Sequence, residues 1–112
     1  MNRLTKRLAD LKKQNKKALV AYLVAGDPDI ESTLQLMNLF VESGVDVLEI
    51  GVPFTDPIAE GPIIQKAHDR ALEKNISLTA IFEMVQKFRL TDDTTPIVLM
   101  GYLNTFLSHK KI

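Results

Sequence analysis

The residues able to do chemistry are gathered in one stretch, Leu48-Glu49-Ile50-Gly51-Val52-Pro53-Phe54-Thr55-Asp56-Pro57-Ile58-Ala59-Glu60-Gly61-Pro62. A carboxylate, Glu49, interrupts the apolar run from Val45 to Ile50, and two more, Asp56 and Glu60, follow within eleven residues. Burying an unpaired carboxylate costs several kcal/mol or raises its pKa. A charge at the end of an apolar strand is therefore out of place for packing and in place for proton transfer. Gly51 and Gly61 with Pro53, Pro57 and Pro62 make the connection after it a shaped loop. A carboxylate at the C-terminal end of a buried parallel strand, followed by such a loop, matches the way active sites are built in α/β barrels.

The elements that must hold these groups alternate in type. Leu4, Leu8 and Leu11 recur at helical spacing among Lys and Arg, which predicts an amphipathic helix over residues 3–14, ended near Asn15. Residues 18–25 carry no charge and read as a strand covered on both faces. After Gly26, Asp27 is expected to cap a helix with Pro28 at its first position; Ile30, Leu34, Met37 and Val41 share one face of that helix, and Gly44 stands at its end. Residues 45–50 form a second strand. Ile64, Ala67 and Ala71 mark a helix from Ile63 to about Lys74, and Ser77 or Thr79 caps another that runs to about Leu90. Residues 97–102 form a third strand after the turn at 92–96, and a further helix begins near Asn104.

This alternation implies a parallel sheet with right-handed crossovers. Three such strands, with helices on one face, leave the other face and both edges open. The reading favoured over a small self-contained sheet is the N-terminal part of a single α/β TIM (β/α)8 barrel spanning residues 1–112, because the pattern stops inside a helix. Side-chain parity puts Glu49 on one face with Val45 and Val47, and Leu48 and Ile50 on the other. With the larger residues turned to the helices, Glu49 faces the barrel interior. The same parity brings Tyr22, Met100 and Tyr102 inward, a set suited to a flat apolar ligand that must be protonated.

Composition narrows the classes. The 112 residues carry 14 Lys/Arg, 14 Asp/Glu and no cysteine, which excludes disulfides and thiolate zinc sites. Residues 1–17 hold seven basic side chains against Asp10, yet they lack interleaved aromatics, so they read as a solvated helix face and not a nucleic-acid surface. No apolar run is long enough for a membrane span, and no secretory leader pattern is present, so a soluble cytoplasmic protein is expected. Glu49, Asp56 and Glu60 could in principle attract a hard cation. Their spacing matches no calcium loop, and His68 and His109 fall in helical contexts far along the chain.

The stretch from Leu48 to Pro62 closely resembles the signature of the tryptophan synthase alpha chain family, Leu-Glu-Leu-Gly-(Ile/Val)-Pro-Phe-Ser-Asp-Pro-x-Ala-Asp-Gly-Pro. Ile64-Gln65, the Gly26-Asp27-Pro28 turn and Met100-Gly101-Tyr102-Leu103-Asn104 extend the likeness over essentially the whole chain. The resemblance implies a (β/α)8 barrel of more than twice this length. It also implies retro-aldol cleavage of indole-3-glycerol phosphate to indole and glyceraldehyde 3-phosphate, with no metal or organic cofactor. Under it, Glu49 is the acid/base and Glu60 holds the indole N–H. The substrate pocket includes Tyr22, Met100 and Tyr102. Pro53, Phe54, Asp56 and Pro57 meet a beta chain, with Asp56 in communication between the two sites of an alpha2beta2 tetramer. Two departures stand out: position 60 is Glu where the pattern has Asp, and Tyr22 stands where phenylalanine is common. The alternative function is a non-catalytic fragment that at most docks on a beta chain.

Overall fold

The computed structural model describes residues 2–54, 61–73 and 76–102. Along the chain run α1 (Arg3–Lys13), β1 (Val20–Val24), α2 (Ile30–Glu42), β2 (Val47–Gly51), α3 (Pro62–Leu72), α4 (Leu78–Arg89) and β3 (Ile97–Met100). The expected elements are present within one or two residues of their expected ends; the helix expected from 104 onward lies outside the described residues. The three strands are parallel in the order β1-β2-β3.

Alternation along the strands separates two faces. Ala21, Leu48 and Ile97 form one row, and Leu23, Ile50 and Leu99 the next. These rows pack on Met37, Ile81, Met84 and Phe88 of α2 and α4 and form the main core. Leu48, Ile50, Met37 and Ile81 are fully buried there. At about 25 cal/mol per Å2, each such side chain contributes about 1.5–3 kcal/mol of hydrophobic stabilisation before entropy is counted. Val45 belongs to this core too. It precedes β2, so the strand parity that groups it with Glu49 does not extend to it.

The opposite face is not bare along β1. Ala67 and Ala71 of α3 pack on Val24, with Tyr22 and Ile64 beside them. The expectation of helices on one face alone is therefore corrected. The small residues at positions 67 and 71 give α3 a flat stripe that sits close over the C-terminal half of β1. Elsewhere this face is open: Val20, Val98 and Met100 are 50%, 38% and 44% exposed. None of the residues of α1 is buried, so its leucine stripe is also largely uncovered.

Two turns near the top of β1 differ from expectation. Asp29, not Asp27, caps α2: its side chain accepts from the Ser32 amide at 2.7 Å. Pro28 therefore lies ahead of the cap, outside the first helical turn, and its peptide bond to Asp27 is cis. Asp27, not used as the cap, accepts instead from Arg70 of α3, at 2.7 and 3.0 Å. Gly26 has a φ of +88° and a Cβ there would run into Ile76, so both the backbone and the packing require glycine. Gly44 closes α2 at φ +104° as the sequence suggests, and Ser77 caps α4.

Candidate active site

The register sets the site. Tyr22 of β1 pairs with Glu49 of β2, and Glu49 pairs with Val98 of β3, so the three side chains form one row across the inner face. The next row toward the C-terminal ends is Val24, Gly51 and Met100. Glu49 is half-buried, and no hydrogen bond or ion pair among the described residues holds its carboxylate. It is therefore free to turn toward a bound molecule and exchange a proton with it. These three strands do not enclose the carboxyl: Val98 and Met100 on the β3 side are exposed and leave it open to water.

Tyr22 leans along the strand direction. A Cβ on Gly51 would strike the Tyr22 hydroxyl and come within 2.8 Å of its Cζ. The phenol tip therefore lies over Gly51, two residues beyond Glu49, where only a residue without a side chain leaves room. This is the physical reason for glycine at the end of β2. The ring occupies the floor of the C-terminal opening, beside Glu49.

The chain beyond β2 is held in three steps. The Val52 amide donates to the Met100 carbonyl at 2.7 Å, the last rung between β2 and β3. Pro53 has no amide to offer and is buried. The Phe54 amide donates to Nδ1 of His68 on α3 at 3.2 Å. The Phe54 ring, half-buried, stacks on Tyr102 with centroids 4.3 Å apart and planes 26° from parallel. Within this chain Pro53 and the Phe54 ring turn inward, and Phe54 joins Tyr102 at the rim beyond β3. Asp56, Pro57 and Glu60 lie outside the described residues.

Two contacts at this end were not legible as such. His68, a helical residue far from the loop in sequence, grips the backbone at Phe54. The signal available was its place beside Ala67 and one turn after Ile64, on the stripe that α3 buries. Arg70 and Asp27 are 43 positions apart, and their pairing joins α3 to the loop after β1. Arg70's pKa is raised, chiefly by its hydrogen bond with Asp27 and then by that carboxylate's charge. Among the described residues no group of three or more His, Cys, Asp or Glu is placed to hold a metal ion. No helix among them is long and apolar enough to cross a membrane.

The opposite, N-terminal end of the sheet is closed by polar contacts of α1: Arg7 reaches the Asp46 carboxylate at 3.7 Å. A cleft of about 300 Å3 there is lined by Asn2, Arg3, Lys6, Arg7, Asp10, Asp93 and Thr94. It is remote from Glu49 by topology, since α1 meets the residues that enter β2 and β3, not those that leave them.

Comparison with known proteins agrees with this geometry. The family model for "Tryptophan synthase alpha chain" matches residues 8–111. The tryptophan synthase alpha chain of Laribacter hongkongensis is 52% identical over 104 residues, covering 93% of this chain and 39% of that one. The one from Alkalilimnicola ehrlichii is 54% identical over 93% of this chain and 38% of its own length. The crystal structure of tryptophan synthase subunit alpha from Legionella pneumophila superposes with a TM-score of 0.95 at 51% identity, over 97% of this chain and 42% of that one. A tryptophan synthase complex from Pyrococcus furiosus gives 0.74 at 44% identity, over 81% of this chain and 37% of that one; another structure from that organism is described as an a2b2 complex. The chain thus spans about two-fifths of the length of the relatives it matches. Three parallel strands in the barrel's order, a glutamate on their inner face and a match from Leu8 to Lys111 place this chain in the tryptophan synthase alpha chain family.

Proposed function

We propose that this chain supplies the acid/base end of an indole-3-glycerol phosphate lyase working in the cytoplasm, which releases indole and glyceraldehyde 3-phosphate for a beta chain to use. The observation that carries the reading is the inner-face row, Tyr22–Glu49–Val98, in which Glu49 is the one carboxylate of the three strands and has no competing partner among the described residues.

Breaking the carbon–carbon bond requires a proton delivered to the indole ring carbon and one withdrawn from the neighbouring glycerol hydroxyl. A single carboxyl group can serve both ends, donating in its acid form and accepting as carboxylate. Glu49 has that role. Tyr22 flanks it with a ring face, Met100 and Tyr102 line the β3 side, and the indole plane lies against them. Glu60 receives the indole N–H and so steadies positive charge as it develops on the ring. No metal and no organic cofactor takes part. The substrate's phosphate is held by the loops after strands 7 and 8 of the complete barrel, as is common in this fold. Asp56 and Pro57 belong to the face turned to the beta chain, and Pro53 and Phe54, turned inward, anchor the segment that carries them.

The test is Glu49→Gln in the longest form of the chain that its gene encodes, assayed for indole release from indole-3-glycerol phosphate. Glutamine preserves size and polarity but carries no transferable proton. The expected result is a fall in kcat of roughly 10^2–10^4 with KM changed only a few-fold. An unchanged kcat removes Glu49 from the chemistry. An unmutated chain that binds a beta chain yet releases no indole supports instead a non-catalytic partner-binding segment.

A further inference from the structure

His68 is 2% exposed and sits on the buried stripe of α3 beside Ala67. One ring nitrogen has a use: Nδ1 accepts the Phe54 amide at 3.2 Å. A nitrogen that accepts carries no proton, so in the neutral ring the proton is on Nε2. Nε2 is buried and has no hydrogen-bond partner among the described residues. Burying a donor unpaired is unfavourable, and a leucine or methionine would fill the same space without that penalty. The ring is therefore retained for what Nδ1 does.

What Nδ1 holds is the first free amide after the sheet lets go of the chain. The Ala25 and Val52 amides make the last ladder bonds at the ends of the strands, to the carbonyls of Gly51 and Met100. Pro53 has no N–H, so Phe54 is the next residue that can be fixed, and residue 55 begins the acidic segment. That segment's other flank is Gly61, the residue that opens α3 itself. One helix thus begins at the end of the segment and, through His68, grips its start. The helix is itself anchored to the sheet, by Ala67 and Ala71 on Val24 and by Arg70 on Asp27.

We propose that His68 is a positioning residue for the reaction: acting through the Phe54 backbone, it sets where the chain between Glu49 and Glu60 leaves β2. It does not touch substrate. The role needs an acceptor at the place of Nδ1, not a charge and not merely bulk. The proposal rests on the roles proposed for Glu49 and Glu60 for its effect on turnover, but not for its effect on the backbone.

The experiment uses His68→Asn, His68→Gln and His68→Leu in the longest form of the chain that its gene encodes. The side-chain oxygen of asparagine can stand near Nδ1, that of glutamine stands nearer Nε2, and leucine offers none. Three readouts apply: hydrogen exchange at the Phe54 amide, the protonation of each imidazole nitrogen in the parent by nitrogen NMR, and kcat against KM for indole release. The proposal expects Nδ1 unprotonated in the parent. It expects Phe54 protection to fall by about tenfold in the Leu and Gln variants and to stay within about threefold in Asn. It expects kcat to follow the same order, falling by about tenfold or more in Leu and Gln with KM changed little, because small displacements of catalytic groups are costly. Unchanged Phe54 protection in Leu, a proton on Nδ1, or an Asn variant no better than Gln overturns it. If the Leu variant does not fold, the parent's tautomer and the Asn–Gln contrast still decide. Glu49→Gln separates the two readings: it lowers kcat by roughly 10^2–10^4 and leaves Phe54 protected. A parent chain with no activity but with the expected tautomer and exchange pattern refutes the lyase reading and retains the backbone role of His68.

Discussion

Adding one methyl group at Gly51 tests the packing of the inner face. A Cβ there collides with the Tyr22 hydroxyl, lies 2.8 Å from Cζ and 3.3 Å from Cε1. Ordinary contact begins near 3.4 Å, so the ring must retreat, and it is backed by α3 through the cluster of Val24, Ala67 and Ala71. Overpacking of this kind costs about 1–3 kcal/mol. Against it stands the gain of about 0.4–1 kcal/mol that Gly→Ala brings by restricting the unfolded chain. Gly51 has no left-handed φ to forbid alanine, so the net destabilisation is about 0–2.6 kcal/mol, centred near 1.3 kcal/mol. With a urea m-value of about 2 kcal/mol/M, the unfolding midpoint falls by up to about 1.3 M, centred near 0.65 M. Tyr22→Phe removes the nearest atom of the clash but leaves Cζ, so Gly51→Ala in that background should cost measurably less, with a coupling of about 0.5–1 kcal/mol. The cycle is run by urea unfolding of the four proteins, each in the longest form that the gene encodes. A Gly51→Ala variant that is stabilised, or one whose penalty is the same with Phe at 22, would refute the placement of the phenol over Gly51 and with it the floor of the proposed pocket.

The turn before β3 carries a pH prediction. Burial pushes the Asp92 carboxyl upward more than any other single influence, but hydrogen bonds from the hydroxyls and amides of Thr95 and Thr94 together outweigh it and hold the group below the usual carboxylate range. A depressed folded pKa contributes stability that is present above the unfolded value, near 3.9, and is lost as pH falls through the folded one. Asp92→Asn should therefore be less stable than the parent at pH 7, with the difference shrinking as acid unfolding is followed below about pH 4; a gap independent of pH would contradict the assignment. At the partner face, Asp56→Ala should leave the isolated chain's indole release within about twofold while reducing its stimulation by a beta chain; equal stimulation in mutant and parent would take Asp56 out of the communication.

Much of this fold is written locally, and the failures have local causes. The helix spacing of Leu4, Leu8 and Leu11, the uncharged run at 18–25 and the serine before α4 each act within a few residues, so their elements can be read without knowing the rest. Side-chain parity in the strands is equally local, which is why the row of Tyr22 and Glu49 was accessible before the register was known. Asp27 misleads because two oxygen-bearing caps, Asp27 and Asp29, precede one helix, and only the distant Arg70 decides which of them is released from capping. The turning inward of Phe54 depends on Tyr102, 48 positions away, and the role of His68 on an amide 14 positions back. None of these three pairings has a periodic trace in the sequence.

The placement of α3 links these long-range contacts to the chemistry. A helix laid across the C-terminal half of β1 would block a barrel's opening if its side chains were large, and the residues in contact are Ala67 and Ala71. Small side chains let the helix lie low, against Val24 and alongside Tyr22, leaving Glu49 and the β3 side uncovered. The same closeness brings His68 within reach of the Phe54 amide and Arg70 within reach of Asp27. One set of small residues therefore keeps the opening clear and anchors both the chain leaving β2 and the loop leaving β1. A helix that packed farther out would lose both grips together, and the carboxylate at Glu49 would face a rim whose parts no longer held a fixed relation to it.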